Sequence, residues 1–216
     1  MIHLKITALV LSCAMLAACS NGSDNADIPP SEPNASEAIE LGTAVKDVIQ
    51  PQSQKATDSN VLSVEWEDLV PADFKPEAIM AKYKAEIDAT AEGSDAERVL
   101  YDKVMAEFNS AGPNTSLDGK TVRIPGFVAP LDTDGETVVD FLLVPYYGSC
   151  IHSPPPPANQ TVMVSPVKGK SITLDQTYRP VWVVGELQAK GVTTDLAQAG
   201  YQIANARVEP YSQPTN

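Results

Sequence analysis

Two residues that could do chemistry stand two positions apart in the segment Gly148-Ser149-Cys150-Ile151-His152-Ser153. Four prolines follow, Pro154, Pro155, Pro156 and Pro157, and then Ala158-Asn159-Gln160. Thiolate and imidazole are good ligands for zinc or copper. A thiolate beside an imidazolium is also an activated nucleophile. Cys-x-His supplies two ligands and is not a usual zinc spacing. Asp132, Asp140, Glu186 or a water are the candidates to complete a site. Catalytic cysteine and histidine usually come from separate parts of a fold, and a buried cysteine beside a histidine bonded to a carbonyl is the inert alternative.

The prolines bear on all three readings. Each fixes its own φ and biases the residue before it towards an extended shape. Residues 153–157 are therefore expected in polyproline II conformation, with much of their ordering cost met before folding. A stiff loop holds side chains in place, and an exposed proline ridge is equally a low-entropy surface for a partner. If residues 150–152 are extended, Cys150 and His152 face one side and Ile151 the other, where it would anchor the loop in the core. Asn159 and Gln160 restore amide groups that can bond a strained loop.

The elements that position this loop read as follows. Ile79, Tyr83 and Ile87 share one face of a helix over 76–91. Ser94 with Glu97 is a capping box for a second helix, whose buried face is Leu100, Val104 and Phe108 and which ends at Gly112-Pro113. After Pro113 the apolar period shifts to two, giving strands at 120–131, 138–146, 161–167, 180–188 and 201–211. Asp118-Gly119, Asp134-Gly135 and Lys168-Gly169 mark turns, and Pro125-Gly126 implies a bend inside the first strand. Residues 193–199 fit one helical turn. The fold class is α+β, mainly β: a helical hairpin followed by a small five-stranded barrel of the oligonucleotide/oligosaccharide-binding type, with a sandwich as the other architecture these strands allow. Trp66, Leu69 and Phe74, in a proline-punctuated segment ahead of the hairpin, are expected to dock on the domain.

The N-terminus sets the compartment. Residues 1–18 have a single lysine and an apolar run too short to span a bilayer comfortably, ending in Leu16-Ala17-Ala18-Cys19. This resembles a bacterial lipobox, which implies cleavage before Cys19, lipid on its thiol and acylation of the new N-terminus. Each buried methylene contributes roughly 0.8 kcal/mol, so several acyl chains anchor stably. Ser20 rather than aspartate favours the outer over the inner membrane, facing the periplasm. Residues 19–60 read as a polar tether, 61–113 as the docking segment and hairpin, and 114–216 as the β domain. Cys13 leaves with the leader and Cys19 carries lipid, so Cys150 has no intrachain disulfide partner in an oxidising compartment. With 28 acidic and 15 basic residues the net charge is −13, which excludes nucleic acid and anionic headgroups as favoured partners.

The strings VRIPGFVAPLD and FLLVPYYGSCIHSPPPPANQ resemble the bacterial lipoprotein family called domain of unknown function 3299. The resemblance covers residues 66–211 with the lipobox and tether in front. Its hallmark falls on Cys150, His152, Pro154 to Pro157, Asn159 and Gln160. Members are often encoded near an ABC-type export or lipoprotein-release permease, and in some bacteria near genes of zinc limitation. The resemblance therefore implies a metal-handling accessory of a transport system, with Cys150 and His152 as zinc ligands. The alternatives are a non-enzymatic module that docks on the permease through its proline ridge, and a periplasmic thiol enzyme using Cys150. GSCIH is similar to the cysteine motif of L,D-transpeptidases, whose upstream histidine has no counterpart here.

Overall fold

The computed structural model describes residues 39–49 and 60–211. The leader, Cys19 and most of the tether lie outside these residues. The described elements run α1 (Val45–Val48), β1 (Leu62–Ser63), α2 (Pro76–Ala89), α3 (Asp95–Asn109), β2 (Lys120–Asp134), β3 (Thr137–Val144), β4 (Val162–Pro166), β5 (Val181–Leu187), β6 (Val192–Thr193), β7 (Gln198–Ala199) and β8 (Tyr201–Pro210). The architecture is α+β. The sheet order is β1-β2-β3-β4-β8-β5, and β2 pairs with β5 as well. All pairs are antiparallel except β1–β2 and β4–β8.

β2 holds this arrangement because it bends. Lys120 to Gly126 pair with β5, and Phe127 to Asp134 pair with β3. The exchange of partners falls at Pro125-Gly126, where a bend was expected. Glycine is required there: a Cβ on Gly126 would stand 2.6 Å from Leu143 Cγ and 3.0 Å from the Val144 carbonyl oxygen. The Pro125 carbonyl accepts a 2.8 Å hydrogen bond from Trp66 Nε1. Trp66 and Leu69 are both buried, so this segment docks as expected. Tyr201 fastens it again, accepting from the Asn114 N–H and donating to the Leu69 carbonyl, each at 2.5 Å.

The hairpin follows its apolar spacing in part. Tyr83, Leu100 and Val104 are buried together, with Ile79 and Phe108 against them. Ile87, expected on the same face, is exposed. Ser94 Oγ accepts from the Glu97 N–H at 3.1 Å, as a cap should. The Glu97 carboxylate takes the Gly93 N–H, one residue before the box geometry expected.

Two expectations are corrected. Residues 39–49 do not belong to a tether: Val45 and Ile49 are buried in the main core, and the segment exchanges backbone bonds with Pro145 and Tyr147. An apolar i, i+4 pair outweighs the polar composition around it. Residues 193–199 are no helical turn. β6 and β7 pair as a short ribbon, and Thr194 Oγ1 accepts from the Leu196 and Ala197 N–H groups, the local bond by which threonine favours a turn over a helix.

Candidate functional site

The loop from Tyr146 to Gln160 leaves the end of β3, passes beneath the hairpin and enters β4. Its first turn winds around Gly148, whose carbonyl oxygen accepts from the N–H groups of Ile151, His152 and Ser153. Cys150 lies at φ +70°, the left-handed region that few side chains adopt, and its N–H donates to the Ser153 carbonyl at 3.0 Å.

This turn overturns the extended geometry expected for residues 150–152. Cys150, not Ile151, packs on the core. Ile151 is 52 % exposed, and His152 is exposed. Burial pushes the Cys150 thiol up to about 11, so the sulfur is held as neutral thiol. Among the described residues no three of His, Cys, Asp and Glu come together in a way that could hold a metal ion. The candidates for further ligands are engaged elsewhere or placed elsewhere. Asp140 accepts from Ser165 Oγ at 2.6 Å, Asp132 from the Thr133 N–H at 2.8 Å, and Glu186 stands opposite Thr121 on β5. The chemistry of the pair is therefore weak: one half-buried neutral thiol and one exposed imidazole.

The proline run is built into the structure differently. Pro154 is exposed and Pro156 buried, and Pro157 has φ −55°, ψ 154°, in the polyproline region. The run is fastened to the hairpin. Tyr101 Oη of α3 makes a long 3.5 Å contact to the Pro155 carbonyl, and Asn109 Oδ1 accepts from the Ala158 N–H at 2.8 Å. Burial, then the nearby Asp102 carboxylate, hold the Tyr101 phenol above its ordinary value. On the other side, Gly200 N–H donates to the Ala158 carbonyl at 2.6 Å, and a Cβ at Gly200 would stand 2.7 Å from the same oxygen. The prolines thus form the link between hairpin and sheet. Asn159 is buried, yet its Nδ2 has no hydrogen-bond partner. Gln160 lines a crevice of about 40 Å³ beside Trp66, Pro145 and Tyr146. Of the two residues expected to restore amide groups, Gln160 bonds the loop through its backbone N–H, which donates to the Pro157 carbonyl at 2.8 Å.

Two exposed tyrosines from outside the loop, Tyr101 and Tyr178, lie against it, and the spacing of the motif gives no sign of them. Tyr178, 65 % exposed, lines a crevice with Ile151 and His152. Tyr146 is 41 % and Tyr101 36 % exposed. Beyond Pro157 a groove of about 420 Å³ opens along α2 and α3. The signal was available in the apolar residues off the expected buried face, Met80 and Tyr101 among them.

The fold and loop together define a class: an α+β domain in which a proline-rich Cys-x-His loop joins a helical hairpin to a sheet. The profile described as "Protein of unknown function (DUF3299)" matches residues 66–210, and the chain belongs to that family. A crystal structure of a DUF3299 family protein from Pseudomonas aeruginosa PAO1 is 32 % identical, with a TM-score of 0.53, covering 72 % of this chain and 99 % of that one. No curated protein matches.

Proposed function

We propose that the protein is a periplasm-facing lipoprotein, anchored through Cys19, that acts as a non-enzymatic docking module for the extracytoplasmic face of an ABC-type permease. In this reading the ring of pairings β2-β3-β4-β8-β5-β2 is a small barrel of the oligonucleotide/oligosaccharide-binding type, used as a rigid mount. The observation that carries the proposal is a set of exposed residues in or against the proline loop: Tyr146 at its start, Ile151 and Pro154 within it, Tyr178 in the crevice with Ile151, and Tyr101 whose hydroxyl reaches the Pro155 carbonyl. Tyrosine offers a large, stiff contact surface with a polar tip, and aromatic anchors dominate protein interfaces. A net charge of −13 selects a cationic partner surface. Zinc handling through Cys150 and His152 has less support, because the half-buried thiol resists ionisation and no third donor among the described residues joins the pair. The neutral thiol weakens the thiol-enzyme reading as well.

The test is site-specific photo-crosslinking in the native cell, with the probe at Ile151. The expected adduct contains a permease subunit, survives Cys150→Ser, and is lost in the double variant Pro155→Gly, Pro156→Gly. Zinc titration of the same variants supplies the opposite arm. One equivalent bound by the parent and lost in both Cys150→Ser and His152→Ala, with no adduct at Ile151, replaces docking with metal handling.

A further inference from the structure

The groove on the hairpin adjoins the proline loop, since Tyr101 and Pro157 both line it. Its floor and walls are apolar: Met80, Ile87, Leu100, Met105 and Phe108. Met80 is 46 % exposed in the structure, and Ile87 is exposed too. A helix pair that leaves such residues uncovered on one side has an unfilled apolar face.

The charges of the hairpin say what fills it. Its four basic residues are all neutralised internally: Lys82 pairs with Glu107, Lys84 with Asp88, Arg98 with Asp95 and Lys103 with Glu86. Glu77, Glu92, Glu97 and Asp102 remain without a basic partner among the described residues. Glu97 lines the groove itself. We infer that this groove binds an amphipathic helical segment of the partner protein, with an apolar stripe laid between α2 and α3 and Lys or Arg on its flanks. The inference rests on the docking reading and names the partner's chemistry. A helix in an apolar groove uses anchors at i, i+3, i+4 and i+7, and a volume of about 420 Å³ holds several such side chains. Anionic lipid is disfavoured as the occupant by the same carboxylates.

The test uses the full chain carrying Cys19→Ser, which removes the site of lipid attachment. Three fluorescent peptides of about 18 residues are titrated. One has a leucine stripe with lysine flanks, one the same stripe with glutamate flanks, and one the same lysines with serine in place of leucine. The Leu/Lys peptide is expected to bind at least tenfold more tightly than either control. Met80→Glu should weaken it about tenfold, and Ile87→Glu similarly, whereas Val167→Asp, at an exposed position after β4, should leave it unchanged. Glu97→Gln with Asp102→Asn should weaken it severalfold and flatten its salt dependence. Equal binding of the Lys/Ser peptide would reduce the interaction to bulk charge and overturn the inference. Equal binding of the Leu/Glu peptide would overturn the charge assignment. Loss of binding in Ile151→Asp but not in Met80→Glu would reject the groove and leave docking at the proline loop standing. Failure of every peptide, together with a permease adduct at Ile151, would do the same.

Discussion

The ring of strands and the helical hairpin spend their apolar residues in opposite ways. In β3, Phe141, Leu142 and Leu143 are consecutive and all wholly buried, because a strand in a ring of pairings packs on both faces. In α2 and α3, three residues are buried and Met80, Ile87, Val99 and Tyr101 stay exposed. The ring closes on itself, and its stability is internal. The hairpin touches the rest through Phe74 against Phe108, ring centroids 5.9 Å apart, and through the proline run. On the docking reading proposed above, the surface that meets the partner stays uncovered while the strands hold without it.

The comparison breaks first on core deletions. Phe141→Ala should cost about 3–5 kcal/mol in urea unfolding and lower the whole transition. Leu100→Ala sits in a smaller cluster that can collapse, so about 2 kcal/mol is expected, confined to the hairpin. Hydrogen exchange decides it: amides of α2 and α3 should open at lower free energy than those of β3 and β5. Equal protection would mean that hairpin and ring unfold as one unit. Tyr201→Phe is next, because one hydroxyl ties β8 to two other segments. It leaves the Leu69 carbonyl without its donor and the Asn114 N–H without its acceptor, at about 1–3 kcal/mol. Here the loss should appear as earlier release of residues 66–69 and 114–117, with the ring still protected. Ser94→Ala removes the cap of α3 and should cost about 1 kcal/mol, seen as faster exchange in the first turn of α3 and nowhere in the ring.

These two regions were also unequally legible in sequence. The five long strands were placed within a few residues, because a period of two bounded by Asp-Gly and Lys-Gly turns has few other readings. That β2 pairs with both β3 and β5 was foreshadowed by Pro125-Gly126, but the partners themselves depend on long-range closure that spacing does not encode. Val45 and Ile49 were hidden by the polar residues around them, although their own interval carried the signal. The loop failed for a local reason. An extended Cys-Ile-His was expected, yet Gly148 takes positive φ and its carbonyl gathers three N–H groups, which coils the chain and turns Cys150 inwards. The hairpin groove is lined by Ile87, Leu100, Val104 and Phe108 of the expected apolar faces together with Met80, Tyr101 and Met105 beside them, and helical spacing does not encode that part of such a face stays open.

The smallest expected effect bears most directly on the cysteine. A folded value of about 11 against the ordinary 9.0 means that burial favours the neutral thiol. Below the lower value both folded and unfolded chains keep the proton, and stability does not depend on this group. Between the two values the unfolded chain ionises first, binds fewer protons than the folded one, and stability falls as pH rises. Cys150→Ser should therefore differ from the parent below about pH 9 only by a pH-independent loss of packing, and the parent should lose ground relative to it only above that pH. Alkylation by iodoacetamide reads the same group kinetically, with little reaction near neutrality and a midpoint close to pH 11. A midpoint at or below neutrality would show that the loop opens to release a thiolate. Cys150 would then be a nucleophile or ligand presented to solvent, and the ridge of prolines behind it would be a support for chemistry instead of a surface for a partner.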